Sequence, residues 1–490
     1  MSRDAFEPAQ ELNFATTRPE SGGGPDATTC GARGTVLRRR GTLSVSLGLA
    51  LPLLRLSRAP VHAEENNLGY RHEFYREDND RIHVDTDSFY FDLGLQSSVR
   101  LNGSVVIDAI SGATPLGAPP QTQWPFPTYA NLYSSAYQQA YTSEYNLFVA
   151  QNQIYVDAGY ETYEQMTNAA AQFAQSAAPA IATNSASASF QSLTNNPNYR
   201  RDSVPLVHMH DRRTAFSLGA PLTFGIHALT PSIAYSTESD YVSWSGALTY
   251  SLGLNNKNTT LSAGWAHNAD RVRDDKFVWQ DKTTDDFFAG LVQLLSPKSY
   301  LTVNAAYRRE RGYLSDPYRG VMAATNALQL NPDDPALIPE KRPSHRNVEL
   351  LFASWTQGIT PLSGSAEVSY RLFHDSYGIF AHTVECDWHQ RIGKTLVVSP
   401  VFRYYLQSAA DFYYILVPDA NALPPEYSSD YRLSHLESFA GGVNLTWRVH
   451  KNVSLDAGYL RYAMRGLDGA TSQSAYPSAH VFTVGARIWF

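Results

Sequence analysis

The chain has 490 residues, a net charge of −7, only 17% charged residues and 30 tyrosines. Without a basic excess it carries no electrostatic footprint for nucleic acid, and no apolar run reaches the roughly 18 residues of a membrane helix. What remains is a soluble β-protein or a membrane barrel, whose strands hide apolar residues at every second position.

Arg38, Arg39 and Arg40 precede an apolar stretch at 42–54, and Val61-His62-Ala63 places small residues before Glu64. A positive region, an apolar core and a small-residue cleavage site in that order predict a leader and signal peptide over 1–63, hence export. The polar residues that open the chain fit no part of that pattern. Cys30 falls within the leader, so the mature chain 64–490 keeps Cys386 alone and forms no internal disulfide.

The strand pattern is clearest at the end of the chain. Phe482, Val484, Ala486, Ile488 and Phe490 form an apolar row at period two, with Thr483, Gly485 and Arg487 on the other face. A strand between lipid and a wet lumen requires that alternation. A soluble edge strand would also explain this stretch taken alone, but the pattern recurs upstream. Leu362, Gly364, Ala366, Val368, Tyr370 and Leu372 face away from Glu367 and Arg371, and Val443, Leu445 and Trp447 face away from Asn444, Thr446 and Arg448. Pro400 interrupts one row and predicts a bulge.

The pattern divides the chain into about 16 strands, at 69–77, 82–96, 98–110, 207–219, 222–236, 239–252, 257–268, 284–295, 298–310, 344–358, 361–374, 378–392, 395–408, 431–449, 451–463 and 477–490. Counts of 14 or 18 fit within the boundary error of roughly two to four residues. Connection lengths test this independently. The long connections, 111–206, 269–283, 311–343, 409–430 and 464–476, all follow odd strands, whereas short turns such as Ser296-Pro297 follow even ones. Outer-membrane barrels have short periplasmic turns and longer external loops, and a sandwich has no reason to obey that parity. The predicted fold is therefore all-β: a transmembrane antiparallel up-and-down barrel with a long external insertion.

Within 111–206, prolines 115, 119, 120, 125 and 127 predict an extended start. From Tyr129 the segment becomes rich in Ala, Gln, Tyr and Asn, and Leu147, Phe148, Ile154, Tyr155, Ala158, Tyr160 and Met166 could line a helical face until Pro179 breaks it. A low-complexity external loop and a helical plug both fit this composition.

Alternation places Arg100, Asp108, Glu367, Arg371, Glu385, Asp387, Arg403, Arg448, Asp456 and Arg487 toward the lumen. Such charges either set a field that sorts solutes or zip the interior shut. With neighbours paired in sequence order, Glu385 and Asp387 can oppose Arg403, and Arg371 can approach Glu385. His208 and His210 share a strand face with Asp211 following, a spacing that could hold a metal only with a third ligand. An Asp-rich loop carrying Asp270, Asp274, Asp275, Asp281, Asp285 and Asp286 has calcium-type oxygens, but Arg271, Arg273, Lys276 and Lys282 interleave with them and favour an ordinary solvated loop. Cys386 shares the row of Phe380, Val384 and Trp388, which predicts a small lipid-facing residue. No Gly-rich phosphate loop or Cys cluster occurs and no nucleophile stands out with its base, so neither catalytic residues, cofactor nor metal are assigned.

Asp108-Ala109-Ile110-Ser111-Gly112-Ala113-Thr114-Pro115, 258–264 (NTTLSAG), 312–318 (GYLSDPY), 403–413 (RYYLQSAADFY) and 426–433 (EYSSDYRL) resemble, in order, an uncharacterised family of bacterial outer-membrane barrels catalogued as a domain of unknown function. The resemblance spans about 68–490, and 129–200 departs from it. It implies an exported barrel in the Gram-negative outer membrane without an established activity. Proximity of family members to small lipoproteins and flavin-attachment enzymes implies a lipoprotein partner and an envelope redox role. The expected partners are outer-membrane lipid, the barrel-assembly machinery reading the strand that ends at Phe490, and an envelope lipoprotein. Function is expected to be a porin-like channel for small solutes or, alternatively, a non-conducting structural or docking barrel; an outer-membrane hydrolase has the least support.

Overall fold

The structure, a computed structural model, describes residues 66–115, 117, 129–195, 206–322, 337–415, 417 and 422–490. The leader and signal peptide expected over 1–63 lie outside these residues, as do prolines 119, 120, 125 and 127 of the insertion.

In chain order the elements are β1 (Asn67–Glu77), β2 (His83–Gln96), β3 (Val99–Pro115), α1 (Tyr129–Asp157), α2 (Tyr163–Asn195), β4 (Leu206–Gly219), β5 (Leu222–Phe224), β6 (His227–Thr237), β7 (Tyr241–Leu254), β8 (Thr259–Arg273), β9 (Trp279–Ser296), β10 (Ser299–Gly312), β11 (Gly320–Met322), β12 (Leu337–Pro339), β13 (His345–Ile359), β14 (Gly364–Asp375), β15 (Phe380–Ile392), β16 (Leu396–Gln407), β17 (Leu436–His450), β18 (Val453–Gly466) and β19 (Ser478–Trp489). Seventeen strands form one antiparallel sheet, and β11 and β12 pair separately. Because β5 has three residues, 16 strands span the barrel, in up-and-down order. The ring closes where β1 pairs with β19, from Asn67 opposite Trp489 to Glu77 opposite Ala479. Closure leaves no sheet edge, the condition under which strands can cross a bilayer.

Alternation decides which face meets lipid. Phe89, Val105, Phe216, Ile233, Trp244, Trp265, Phe287, Leu351, Val368, Phe402, Phe439, Leu455, Phe482 and Val484 are all exposed, and in most strands they alternate with the buried polar residues; Glu437 of β17 is an exception, buried at the parity of Phe439. An apolar surface running round the whole ring far exceeds the few hundred Å² that soluble proteins tolerate. Cys386 is exposed on this outer face.

The parity of the connections holds. Turns 97–98, 255–258, 297–298, 360–363, 393–395 and 451–452 lie at one end, with both ends of the barrel strand series. The strand ends Pro115 and Leu206, Gly312 and His345, Gln407 and Leu436, and Gly466 and Ser478, which bound the longer connections, lie at the other. Several boundaries differ from expectation. The expected loop 269–283 shrinks to 274–278: Asp270 lies in β8 and Asp281, Asp285 and Asp286 in β9, while Asp274 and Asp275 stay in the turn. The segment 222–236 is divided by a turn at Gly225, whose positive φ of 66° ends β5. Residues 431–433, expected to open a strand, form a 3-10 turn instead. At Pro400 the β15–β16 ladder skips the pairs between Asp387–Val401 and Gln390–Val398.

The helices form a compact unit of their own. Met166, Ala170, Ala174, Ala178, Ala182 and Ala186 are buried at a strict spacing of four, the period of one helix face. Small side chains let two backbones approach closely, so α2 packs on α1 through alanine, with Phe148 against Phe173 at 5.4 Å. Tyr133, Tyr137, Tyr141 and Tyr145 stack at successive spacings of 6.3, 6.3 and 6.4 Å along α1. The expected face fails here: Leu147, Ile154, Tyr155 and Tyr160 are exposed, since the seam is written in alanine. Nor does Pro179 end the helix; it lies inside α2, where the surrounding packing compensates for the hydrogen bond it cannot donate.

Two outcomes test this architecture. Val484→Arg puts a charge in the lipid-facing row and should cost about 2–4 kcal/mol if it lies at mid-bilayer depth, read as an earlier unfolding midpoint in denaturant. Ala174→Leu overpacks the helix seam and should cost about 1–3 kcal/mol, read as lower helical thermal stability with unchanged heat-modifiable migration of the barrel on gels.

Candidate functional site

The loop end is filled by the chain itself. Connection 408–435 turns inward, and Ala410, Phe412, Tyr431 and Leu433 pack with Ile82, Tyr405, Leu436, Leu460 and Tyr462 of the wall in one apolar cluster. Residues 313–322 reach toward β3 and the β6–β7 turn. Tyr318 packs on Met209 and donates its hydroxyl to Asp240, while Arg319 donates to Thr114 at 3.1 Å. Together these segments form a plug.

Its centre is ionic. Three acids (Asp316, Glu340, Asp430) meet three arginines (Arg319, Arg342, Arg432). Arg432 reaches Asp316 at 2.7 Å and also pairs with Asp430 beside it. Arg342 bridges Asp430 at 2.8 Å and Glu340 at 2.6 Å, and Arg319 lies 3.4 Å from Asp316. Arg319, Glu340, Asp430 and Arg432 are at most 5% exposed, so each charge is stable there only because its partners are in place. Burial pushes the Asp430 carboxyl up, but Arg432, Arg319 and Arg342 outweigh it and hold it well below the usual carboxylate range. Burial raises Glu340 against the pull of Arg342, helped by Asp316 and Asp430.

The rim is tied in the same way. Arg81, between β1 and β2, pairs with Glu77 at 3.2 Å and donates to the carbonyl of Ser474 at 2.9 Å, across the closure of the ring. Gly112 permits this: it sits at φ +133°, and the Arg81 carbonyl occupies the place a Cβ would take.

Below the plug the inner wall is more open. The ten charges at luminal parity divide by depth and by partner. Asp108 is buried and pairs with Arg213, and Arg403 is buried, opposite Glu385 in register. Arg371 stands opposite Thr383 rather than Glu385, and Glu367 opposite Asp387. Arg100 pairs with Asp92 at 2.8 Å, and Asp456 accepts from Thr446 at 2.7 Å. Arg448 is exposed, and Arg487, Asp456, Glu385, Asp387 and Glu367 are half-buried. The lumen is thus packed at the loop end and accessible toward the turn end.

The metal and calcium readings do not gather. His208 and His210 share the outer parity of β4, whereas Asp211 is buried on the other face and accepts from Ser239. Of the Asp-rich group, Asp274 caps its own turn, accepting from the amides of Lys276 and Val278; Asp286 pairs with Arg308 at 2.6 Å; and Asp281 is exposed on the outer face. Asp211, Glu238 and Asp240 do converge within 4.8 Å, but Asp211 and Asp240 already accept from Ser239 and Tyr318. Sequence reasoning missed the plug. Its signal was a repeated phrase, Ser315-Asp316-Pro317-Tyr318-Arg319 and Ser429-Asp430-Tyr431-Arg432, charged residues beside aromatics in what read as a loop and the edge of a strand.

The family described as a protein of unknown function (DUF3570) matches residues 48–278 and 272–480. The chain belongs to that family. In this DUF3570 protein the segments 108–115, 312–318, 403–413 and 426–433 meet at the plug. No functionally curated protein matches the chain. Among solved structures it is similar to the siderophore receptor PirA from Pseudomonas aeruginosa (9% identity, 87% of this chain and 62% of that one, TM-score 0.38). It is also similar to CdiB from Acinetobacter baumannii (8%, 87% and 60%, 0.42) and to a bacterial polysaccharide outer membrane secretin (7%, 87% and 98%, 0.40). The chain spans about three-fifths of the length of PirA and CdiB. At such scores the likeness says nothing of what this protein binds.

Arg432→Ala removes the nearest partner of Asp316 and one of the two close partners of Asp430, leaving Arg319 and Arg342 to hold them, and should cost the plug up to about 3–5 kcal/mol, seen as new protease cleavage within 408–435 while the barrel still migrates as folded. Acid should act at the same place. The contribution of Asp430 is complete above about pH 4, where an unfolded aspartate is already charged, and is lost as pH falls toward its lower folded value. Glu340 has the opposite sign, complete below about pH 4 and lost as pH rises through its raised value. Protection of the amides in 426–433, relative to their unprotected exchange rate at each pH, should therefore fall below about pH 4 in the wild type, and Asp430→Asn should abolish that acid step.

Proposed function

We propose that this protein is an outer-membrane barrel closed in its resting state, which serves the cell envelope as a structural or docking element rather than as an open diffusion pore. The six-charge network, five of whose members are buried, carries this reading. Loops that merely narrow a pore keep their charges in water, whereas these lie in the packed centre of the mouth. Removing three carboxylates and three guanidiniums from water costs several kcal/mol per ion before pairing returns it; such a network marks a built closure.

The apolar belt supports insertion in the outer membrane, with the turn end in the periplasm, as short turns and long loops are disposed in barrels of this class. In the same reading the chain is exported through the segment 38–63 and delivered by the barrel-assembly machinery through its terminal strand. An envelope lipoprotein approaching from the periplasm would meet the open end of the lumen. No reaction is assigned to the chain.

Conductance tests it. Refolded wild-type protein in a planar bilayer should insert without conductance steps, and a variant lacking 413–430 should give steps. Stable open steps from the wild type, of the size expected for an unobstructed lumen, would overturn the closed state.

A further inference from the structure

At the turn end one stretch of the inner wall differs from the rest. Register places Arg448 of β17, Ser454 of β18, Arg487 of β19, Gly69 of β1 and Tyr90 of β2 in a single row across five adjacent strands. The two arginines lie either side of β18, about 10 Å apart at ordinary strand spacing. Both rest on aromatic faces. The Arg448 guanidinium is 5.3 Å from the Trp489 ring centre, and that of Arg487 is 5.8 Å from Trp489 and 5.1 Å from Tyr90. Arg487 also donates to the Tyr90 hydroxyl at 3.2 and 3.1 Å. Tyr90 reaches it because Gly69 lies between them, and a Cβ at Gly69 would collide with the Tyr90 ring.

These arginines differ from several others of the lumen. Arg71, Arg100, Arg213 and Arg308 each hold a carboxylate, of Glu73, Asp92, Asp108 and Asp286. Arg448 and Arg487 face none among the described residues, and the nearby Asp456 is taken by Thr446. Stacking occupies the face of a guanidinium and fixes its plane in advance, leaving for an anion the edge N–H groups of Arg448 and the edge of Arg487 that does not donate to Tyr90. Arg448 is exposed and Arg487 half-buried, at the accessible end of the lumen.

We propose that Arg448 and Arg487, held on the shelf of Tyr90 and Trp489, form an oxyanion-binding site inside the turn-end mouth of the barrel. Its ligand carries carboxylate or phosphate groups about 10 Å apart or closer. That chemistry can come from a small polyanionic solute or from an acidic segment of a docked partner. The site deepens the docking reading, since it lies where a periplasmic partner would enter, but it does not require the plug.

Titration of the refolded full-length barrel with citrate, and separately with a hexaglutamate peptide, tests it through tryptophan fluorescence. Saturable quenching by either probe is expected, weakened by about tenfold or more in Arg448→Gln/Arg487→Gln and lost in Trp489→Phe. Arg309→Gln, on the outer face, should bind as the wild type does. Response to citrate identifies a small-solute site, and response to the peptide alone an acidic docking segment. Should the double variant fail to fold, Arg448→Gln by itself, at an exposed strand end, should still weaken binding. No saturable response to either probe, or binding unchanged in the arginine variants, would sink the site. Conductance reports on the plug independently, so the two can fail separately.

Discussion

Everything in this molecule depends on the pairing of β1 with β19. A sheet in lipid must satisfy every backbone donor and acceptor within itself, and an open edge would leave a row of them without partners. Eleven residue pairs from Asn67–Trp489 to Glu77–Ala479 close the ring. Closure then fixes the two environments. Side chains of one parity meet lipid and those of the other meet the lumen, on all spanning strands at once. A slip of one residue at the seam would turn Phe482 and Val484 inward and Thr483 and Arg487 into lipid, and that penalty holds the register.

Within the ring, the two ends follow different physics. At the loop end the chain has enough length between strands to fold back on itself, and the plug that results is apolar outside and ionic at its centre. The ionic centre adds little net stability over an apolar one of equal volume. What it supplies is geometry, because Arg342 and Arg432 each join two segments that are remote in the chain. At the turn end the connections are too short to enter the lumen. The wall there stays accessible, and its arginines are organised by aromatic rings and by neighbouring strands instead. One cylinder thus holds a dry, crosslinked half and a wet, charged half.

The helical unit follows a third rule. Alanine at every fourth position of α2 allows close helix packing, and little apolar area per residue is then needed to hold the pair. Its low contrast between faces is why composition alone left a low-complexity loop and a helix both open for this segment.

Much of the barrel was legible in the sequence, because its causes are local. Period-two rows such as Phe482, Val484 and Ile488 report the lipid face directly, and the alternation of long and short connections reports topology. The number of spanning strands followed from those two signals. The plug was not legible. Asp316, Arg319 and Asp430 read as loop charges and Arg432 as the start of a strand, and their burial is decided by segments more than a hundred residues apart meeting across the mouth. Likewise the parity of Arg448 and Arg487 was written in their strands, but their place on one shelf with Tyr90 depends on the ring closing through Gly69. The sequence by itself determined the wall, since a strand's face is set by its own alternation. Only the tertiary structure decided what fills the wall, since charge burial depends on which partners closure brings together.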